Sequence, residues 1–161
     1  MREVAPGLFV GNERDEQEIR GKDGWAFVHA CKEPYHREAL GYTERGAPKE
    51  HVEYLYAQRG DRLCLNLVDV ADPKYVHAEI VNTALDFIAD RLAEGKRVLV
   101  HCNQGMSRGP SIAFSYLAKQ GLLGYGTHAK AEDRFRDLYP DYAPAEGMRG
   151  FLRQNWDDLR P

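Results

Sequence analysis

An apolar strand that runs into a short polar loop and then into a helix is the feature that most constrains this chain. Residues 97–101 (Arg-Val-Leu-Val-His) have the character of a strand buried on both faces of a parallel sheet. The loop that follows, residues 102–108, reads Cys-Asn-Gln-Gly-Met-Ser-Arg, and a mostly apolar helix is predicted after it, from about Pro110 to Lys119. A strand, a tight loop and a helix in this order indicate an α/β fold.

The rest of the chain repeats this alternation of apolar runs and helical periodicity. Three further strands are predicted, at Leu8–Val10, Trp25–Val28 and Leu63–Val68. Asp72 and Pro73 are typical of a helix N-cap and first helical position, and apolar residues then recur at helical spacing as far as Gly95. Two more helices are predicted around 129–138 and 146–159, whereas residues 32–60 indicate a surface loop, alone or with short helical pieces. We therefore expect a single α/β domain over residues 1–161, with a central, mainly parallel sheet flanked by helices.

Charge and cysteine content exclude several classes of protein. The net charge of −3 over 161 residues gives no polyanion-coating surface, so neither nucleic acid nor a membrane is expected as a partner. The three cysteines, Cys31, Cys64 and Cys102, are too few for a disulfide framework and indicate a reducing compartment. Residues 1–11 lack the basic start and long apolar run of a signal peptide, and no apolar window is long enough to span a bilayer. A cytoplasmic protein is expected.

The loop at 102–108 has the composition of an anion-binding cup. Cys102 and Arg108 are separated by five residues, a length that can curl so that backbone N–H groups converge on an anion. The N-terminus of the following helix adds its positive end. Gly105 permits a positive φ or a close backbone approach, and Arg108 offers a planar donor fork that matches two phosphate oxygens.

The same surroundings would activate Cys102 as a nucleophile. Helix N-termini and nearby cations favour the thiolate, which would attack phosphorus and form a phosphocysteine that water then hydrolyses. His101 is interpreted as a supporting residue that orients the loop, and Ser107 as a hydroxyl that helps the thiolate to leave. The predicted phosphate-binding residues are Asn103, Gln104, Gly105, Met106, Ser107 and Arg108. No spacing typical of metal ligands is present, and no cofactor is expected.

The pattern His101-Cys102-x-x-Gly105-x-Ser107-Arg108 after an apolar strand resembles the protein tyrosine phosphatase superfamily, in its dual-specificity branch. Residues 8–12 resemble the opening strand of that branch, and residues 60–120 follow its usual order. The resemblance implies a protein tyrosine phosphatase-like fold and a metal-free phosphomonoester hydrolase. Its substrate would be a phosphorylated protein or a small phosphomonoester.

The resemblance also implies a general acid, supplied by an aspartate in a preceding loop. Asp69, directly after the predicted strand, and Asp72, directly before Pro73, are the two candidates, and Asp69 is favoured. A match to the family pattern without gaps would place Ala71 at the acid position, so either a neighbouring aspartate is shifted into place or the enzyme lacks its acid. Gly109 departs from the family pattern, because many members carry Ser or Thr there, where a hydroxyl assists release of the thiolate. Slow turnover of the intermediate would follow.

Two other functions are compatible with the sequence. A phosphate-binding interaction module with weak catalysis (pseudophosphatase-like) is the first alternative, and a sulfurtransferase or arsenate reductase is the second. Cys64 is expected in the core. Cys31, at a strand end, is either a buried structural residue or a partner for a protective disulfide with Cys102.

Overall fold

The fold is described from a computed structural model that covers residues 1–161. The strands are β1 (Arg2–Ala5), β2 (Leu8–Gly11), β3 (Trp25–His29), β4 (Tyr56–Arg59), β5 (Arg62–Leu65) and β6 (Arg97–His101). The helices are α1 (Glu13–Ile19), α2 (Arg37–Leu40), α3 (Ala78–Ala93), α4 (Arg108–Lys119), α5 (His128–Leu138), α6 (Glu146–Gln154) and α7 (Trp156–Leu159). A π-helical turn, Lys32–His36, and a 3-10 turn, Pro73–Tyr75, complete the secondary structure.

The six strands form one sheet in the order β1-β2-β6-β3-β5-β4. The four inner strands are parallel, and the edge strands β1 and β4 each pair antiparallel with a neighbour. The predicted fold class, a mainly parallel sheet flanked by helices, is confirmed. In the parallel register His101 lies beside His29 on one side and Gly11 on the other, so these strands end at the same edge of the sheet.

Alternate residues of the inner strands face two different hydrophobic clusters. Val98 and Val100 of β6 contribute to a cluster of 33 buried residues that also contains the buried faces of α3 and α4. Leu99, between them, belongs to a small cluster on the opposite face, which includes Ile19 of α1. This two-residue alternation is the geometry of a strand covered on both faces. None of the helices combines the length and the hydropathy that a membrane crossing requires.

Several elements lie where no strong apolar pattern predicted them. The edge strands β1 and β4 are short and partly charged, and helix α1 has a polar sequence with few buried side chains. Asn12 and Asp15 form a capping box at the start of α1, in which each side chain accepts a hydrogen bond from the other's backbone N–H. Residues 32–60, predicted as a loop with at most short helical pieces, contain the π-helical turn and α2 but also strand β4.

Two predicted helix boundaries are wrong. The Asp72 side chain does accept a hydrogen bond from the Lys74 backbone N–H, but it caps only the three-residue turn Pro73–Tyr75. The chain then becomes extended at Val76, whose side chain is buried in the main cluster, and α3 begins at Ala78. The helix predicted over 146–159 is likewise interrupted at Asn155, which separates α6 from α7.

The first turn of α6 lies directly against the loop that follows β5. The backbone N–H of Gly147 donates to the Val70 carbonyl over 3.0 Å. A Cβ atom at Gly147 would overlap that same carbonyl group. Glycine at this position therefore permits the contact between α6 and the loop that carries Asp69.

We predict that Gly147→Ala lowers the free energy of unfolding by about 1 to 3 kcal/mol, the usual cost of overpacking. The matched control is Gly46→Ala, because a Cβ at Gly46 meets no atom within 4 Å. Urea denaturation of the two variants and the wild type measures the difference. Equal stabilities of the two variants would contradict the proposed packing.

Candidate active site

The loop at 102–108 begins where β6 ends and closes at the first residue of α4. Cys102 is only 2% exposed and lies in the wall of a cleft of about 380 Å³. The cleft is lined by Asp69, Cys102, Asn103, Gln104, Met106, Ser107, Arg108, Ala143 and Ala145. The structure thus brings together Cys102, Arg108, Asp69 and Ser107, and it places Asp72 outside this lining.

Two glycines make the tight curvature of the loop possible. Gly105 has a φ of +72°, in the left-handed region that favours glycine, and a Cβ there would lie 2.8 Å from the Gly11 carbonyl oxygen. A Cβ at Gly109 would lie 2.7 Å from the carbonyl carbon of His101. The start of α4 is therefore packed against the end of β6, and the positive end of the helix faces the loop.

Arg108 is the one cationic side chain in the lining of the cleft. Its Nη2 donates to Asn103 Oδ1 over 2.9 Å, and its Nη1 donates to the Leu67 carbonyl over 3.3 Å. Asn103 in turn donates to the Glu33 carbonyl over 3.0 Å. The buried Nε of Arg108 has no hydrogen-bond partner, although Asp69 Oδ2 lies 3.5 Å away, at ion-pair distance. The guanidinium group is held at the cleft and retains an unused donor.

Asp69 is anchored by the loop that it faces. Ser107 Oγ donates to Asp69 Oδ1 over 2.8 Å and accepts a hydrogen bond from the Ala145 backbone N–H over 2.9 Å. The backbone on each side of Asp69 is also bound, because the Leu67 carbonyl accepts from Lys32 N–H and the Val70 carbonyl from Gly147 N–H. The carboxylate is therefore presented to the cleft on a fixed segment.

Asp72 has different surroundings. Its carboxylate accepts a hydrogen bond from the Lys74 backbone N–H and pairs with the Lys74 ammonium group over 3.2 Å. The hydrogen bond to the backbone and the ammonium group together lower the pKa of Asp72 below its ordinary value. The geometry gives this residue a capping role at the turn.

Residues 139–145 contribute Ala143 and Ala145 to the lining of the cleft and bind the loop at three points. The Tyr139 hydroxyl donates to the Gly105 carbonyl over 2.7 Å, and the Ala143 N–H donates to the Met106 carbonyl over 2.9 Å. The third contact is the hydrogen bond that the Ala145 backbone N–H donates to Ser107 Oγ. Burial raises the pKa of Tyr139 to about 12, so its phenol stays protonated as a donor.

His101 is fully buried behind the loop, against a second buried histidine. His29 Nδ1 lies 2.6 Å from His101 Nε2, and His101 Nδ1 lies 3.4 Å from the Cys102 carbonyl oxygen. Burial lowers the pKa of His101 to about 4. Burial, with the charges of His101 and Arg62, lowers the pKa of His29 still further below its ordinary value. Both imidazoles are therefore neutral near pH 6.

The remaining cysteines lie close to the nucleophile candidate. Cys31, Cys64 and Cys102 form one buried cluster with Tyr35, and all three thiols are free. Cys64 is in the core, as predicted, at 3% exposure. Burial raises the pKa of the Cys31 thiol well above its ordinary range, which opposes formation of a thiolate there.

Sequence reasoning missed the residues that support the loop from outside it. His29, Tyr139 and the wall at 143–145 are far from residues 102–108 in sequence. The one available signal was a histidine at the end of the apolar run Trp25–Val28, because parallel strands bring such ends to one edge.

Known proteins resemble this chain in sequence, and the resemblance extends over most of its length. Mouse dual specificity protein phosphatase 12 is 26% identical over 162 residues, which cover 94% of this chain and 40% of that protein. Bovine dual specificity protein phosphatase 26 is 27% identical over 157 residues, which cover 94% of this chain and 64% of that protein. The chain thus spans less than two thirds of the length of these relatives. No family model matches the sequence.

Solved structures resemble the fold. DUSP15 has a TM-score of 0.67 at 20% identity, covering 99% of this chain and 89% of that one. The human tyrosine phosphatase-like serine/threonine/tyrosine-interacting protein has a TM-score of 0.66 at 21% identity, covering 99% of this chain and 96% of that one. The comparisons confirm the resemblance to the dual-specificity branch of the protein tyrosine phosphatase superfamily. The distant relatives of this chain are thus dual-specificity phosphatases.

The buried histidines predict a loss of stability in mild acid. An unfolded histidine titrates near pH 6.5. Because the pKa values of His29 and His101 are lowered by folding, the unfolded state binds more protons below pH 6.5. The stabilisation is complete above pH 6.5 and is lost as the pH falls towards about 4. We expect each histidine to lower the free energy of unfolding by roughly 1 to 2 kcal/mol between pH 7 and pH 5.

Urea denaturation at the two pH values, on the wild type and His29→Asn, measures this contribution. The variant should lose less stability on acidification, because it has one fewer group to protonate on unfolding. His36 and His128, whose pKa values burial also lowers, contribute equally to both proteins and cancel. The same decrease in both proteins would contradict the assignment.

Proposed function

We propose that this protein is a cysteine-dependent phosphomonoester hydrolase of the dual-specificity type, which acts through a phosphocysteine intermediate. The observation that carries the proposal is the presence of Cys102, Arg108 and Asp69 in the lining of one cleft, at the N-terminus of α4. We further propose that residues 1–161 act as one catalytic domain. The continuous cluster of buried residues from Val4 to Leu159 supports this.

In the proposed reaction the Cys102 thiolate attacks phosphorus and the bond from phosphorus to the leaving oxygen breaks. The backbone N–H groups of residues 103–108 and the fork of Arg108 hold the three remaining oxygens. Asp69, in its protonated form, gives its proton to the leaving oxygen. It then accepts a proton from the water that cleaves the phosphorus–sulfur bond and releases inorganic phosphate.

The choice of Asp69 as the acid rests on its position and on the surroundings of Asp72. Asp69 lies in the cleft lining with Cys102, whereas Asp72 is paired with Lys74 outside it. The lowered pKa of Asp72 also disfavours the protonated form that a general acid requires.

Release of the Cys102 thiolate from phosphorus is expected to be the slower of the two steps of this mechanism. Gly109 offers no hydroxyl group, and the Ser107 hydroxyl donates its hydrogen to Asp69 and accepts from Ala145 N–H. The role proposed for Ser107 therefore changes from leaving-group assistance to the orientation of Asp69. Slow hydrolysis of the phosphocysteine is the expected consequence.

The side chains of the cleft favour a substrate with one phosphate group. Asn103, Gln104 and Met106 carry no charge, and Arg108 is the one cationic side chain in the lining. A phosphoprotein or a small phosphomonoester fits this charge balance better than a ligand with several phosphates.

A phosphate-binding module with weak catalysis is the second candidate function. The absence of a hydroxyl group at Gly109 favours this second candidate. One of the proteins with a similar fold is the tyrosine phosphatase-like serine/threonine/tyrosine-interacting protein. An intact Cys102 and Arg108 favour the enzyme.

Cys102→Ser tests the nucleophile. Hydrolysis of para-nitrophenyl phosphate near pH 6 in EDTA is expected for the wild type and not for Cys102→Ser, which should still bind inorganic phosphate. Cys64→Ser, the same change at a buried cysteine outside the cleft, is the matched control and should retain turnover. Turnover by Cys102→Ser would refute the nucleophile, and a folded, phosphate-binding but inactive wild type would favour the binding module.

Asp69→Asn and Asp72→Asn test the general acid. We expect Asp69→Asn to lower kcat/KM, which reports the step in which the leaving group departs, by about a hundredfold or more. The loss should be larger for phenyl phosphate than for para-nitrophenyl phosphate, because the poorer leaving group needs the proton more. The alkaline limb of the pH–rate profile should disappear in the same variant. Asp72→Asn should leave both properties unchanged, and small, equal effects of the two substitutions would exclude both residues.

A further inference from the structure

A chain of three hydrogen bonds, the first part-buried and the other two buried, leads from β5 to the backbone of Cys102. Arg62 Nε donates to His29 Nε2 over 3.0 Å. His29 Nδ1 lies 2.6 Å from His101 Nε2, and His101 Nδ1 lies 3.4 Å from the Cys102 carbonyl oxygen. Both histidine side chains are fully buried, so water does not compete for these contacts.

The chemistry of arginine fixes the direction of every bond in this chain. Arg62 has donors and no acceptor, so His29 Nε2 must accept and its hydrogen must lie on Nδ1. His29 Nδ1–H then donates to His101 Nε2, which leaves the hydrogen of His101 on Nδ1. That hydrogen points to the Cys102 carbonyl oxygen.

The surroundings keep both rings neutral. A second proton on His101 would sit on Nε2 and face the His29 Nδ1–H group across 2.6 Å. A second proton on His29 would sit on Nε2 and face the Arg62 Nε–H group across 3.0 Å. Besides Arg62 and Cys102, the charged or titratable groups that act on the pair are Tyr35, stacked on His29, and Glu16, Asp15 and Arg20. Glu16 is bound by Arg20 over 2.7 Å and by the Tyr35 hydroxyl over 3.0 Å, so its charge is already matched.

We propose that His29 is a positioning residue that holds His101 in the Nδ1–H tautomer and thereby holds the Cys102 carbonyl away from the anion cup. A carbonyl oxygen turned into the cup would repel a bound phosphate, whereas the N–H groups attract it. The role of this arrangement in turnover rests on the phosphatase function proposed above. The tautomer and the affinity for phosphate do not depend on turnover.

Substitutions of nearly equal size at position 29 distinguish a role in proton placement from a role in packing. Asparagine can donate from its amide nitrogen to His101 Nε2 and so preserves the direction of the bond. Ionised aspartate only accepts and therefore requires a hydrogen on His101 Nε2. Leucine offers neither.

The experiment combines ¹⁵N NMR of the His101 imidazole at pH 7 with the Kd for inorganic phosphate. The wild type and His29→Asn should show the Nδ1–H tautomer, and His29→Asp a ring with hydrogen on Nε2. His29→Leu should raise the Kd for phosphate about tenfold, the effect of one lost hydrogen bond. His29→Asn should restore most of that affinity. His128→Leu, which removes a buried histidine elsewhere, is the control and should change neither property.

A wild-type His101 with its hydrogen on Nε2 would overturn the proposal, and this result needs no variant. An unchanged phosphate Kd in His29→Leu, or an equal change in His128→Leu, would overturn it as well. If His29→Leu does not fold, the asparagine and aspartate pair decides the tautomer. If the wild type binds phosphate but hydrolyses no phosphomonoester, the proposed function fails while both measurements still decide the role of His29.

Discussion

The first turn of α4 lies against the end of β6 with no room for a side chain at Gly109, and the geometry of the cleft follows from this contact. A Cβ there would lie within 3.0 Å of backbone atoms of both His101 and Cys102. The contact brings the positive end of α4 under the loop, where helix dipole and backbone N–H groups can act on one anion. The same glycine removes the hydroxyl that many related phosphatases carry. The close packing at this position and the absence of a hydroxyl group there therefore have one cause in this chain.

The opposite wall of the cleft is held by a buried ionic cluster. Glu132, only 4% exposed, accepts a hydrogen bond from Arg136 over 2.6 Å within α5 and one from Arg149 over 3.0 Å, which links α5 to α6. The segment at 139–145, which joins α5 to α6, is hydrogen-bonded to the loop at 105–107. The Asp69 loop is hydrogen-bonded to Gly147 in the first turn of α6. The cup, the wall and the Asp69 loop are thus held together by hydrogen bonds within the chain, which is the kind of preorganisation that electrostatic stabilisation of an anion needs.

The elements of this fold that could be predicted are those whose sequence pattern is complete within a run of neighbouring residues. Strand β6, the loop and helix α4 were predictable because apolar alternation, helical period and the residues at 101–108 are contiguous. Strands β1 and β4 and helix α1 were not, because edge strands and surface helices have few buried side chains. Asp69 and Asp72 were not separable by sequence, since both follow the same strand. Their surroundings differ because the tertiary fold places Ser107 and Arg108 beside Asp69, whereas the local turn places Lys74 beside Asp72.

The neutral histidine pair determines which groups can stabilise a thiolate in this cleft. If His101 carried a positive charge, the loop would hold two cations, and a polyanionic ligand would gain from both. Because the bond from Arg62 and the burial of both rings keep the pair neutral, Arg108 is the only formal positive charge beside Cys102, and Asp69 lies 3.5 Å from it. In the mechanism proposed above, stabilisation of the Cys102 thiolate would therefore depend on Arg108, the backbone N–H groups of the loop and the helix dipole. This distribution of charge supports the proposed substrate with one phosphate group, because the uncharged side chains of Asn103, Gln104 and Met106 add nothing that would hold a second one.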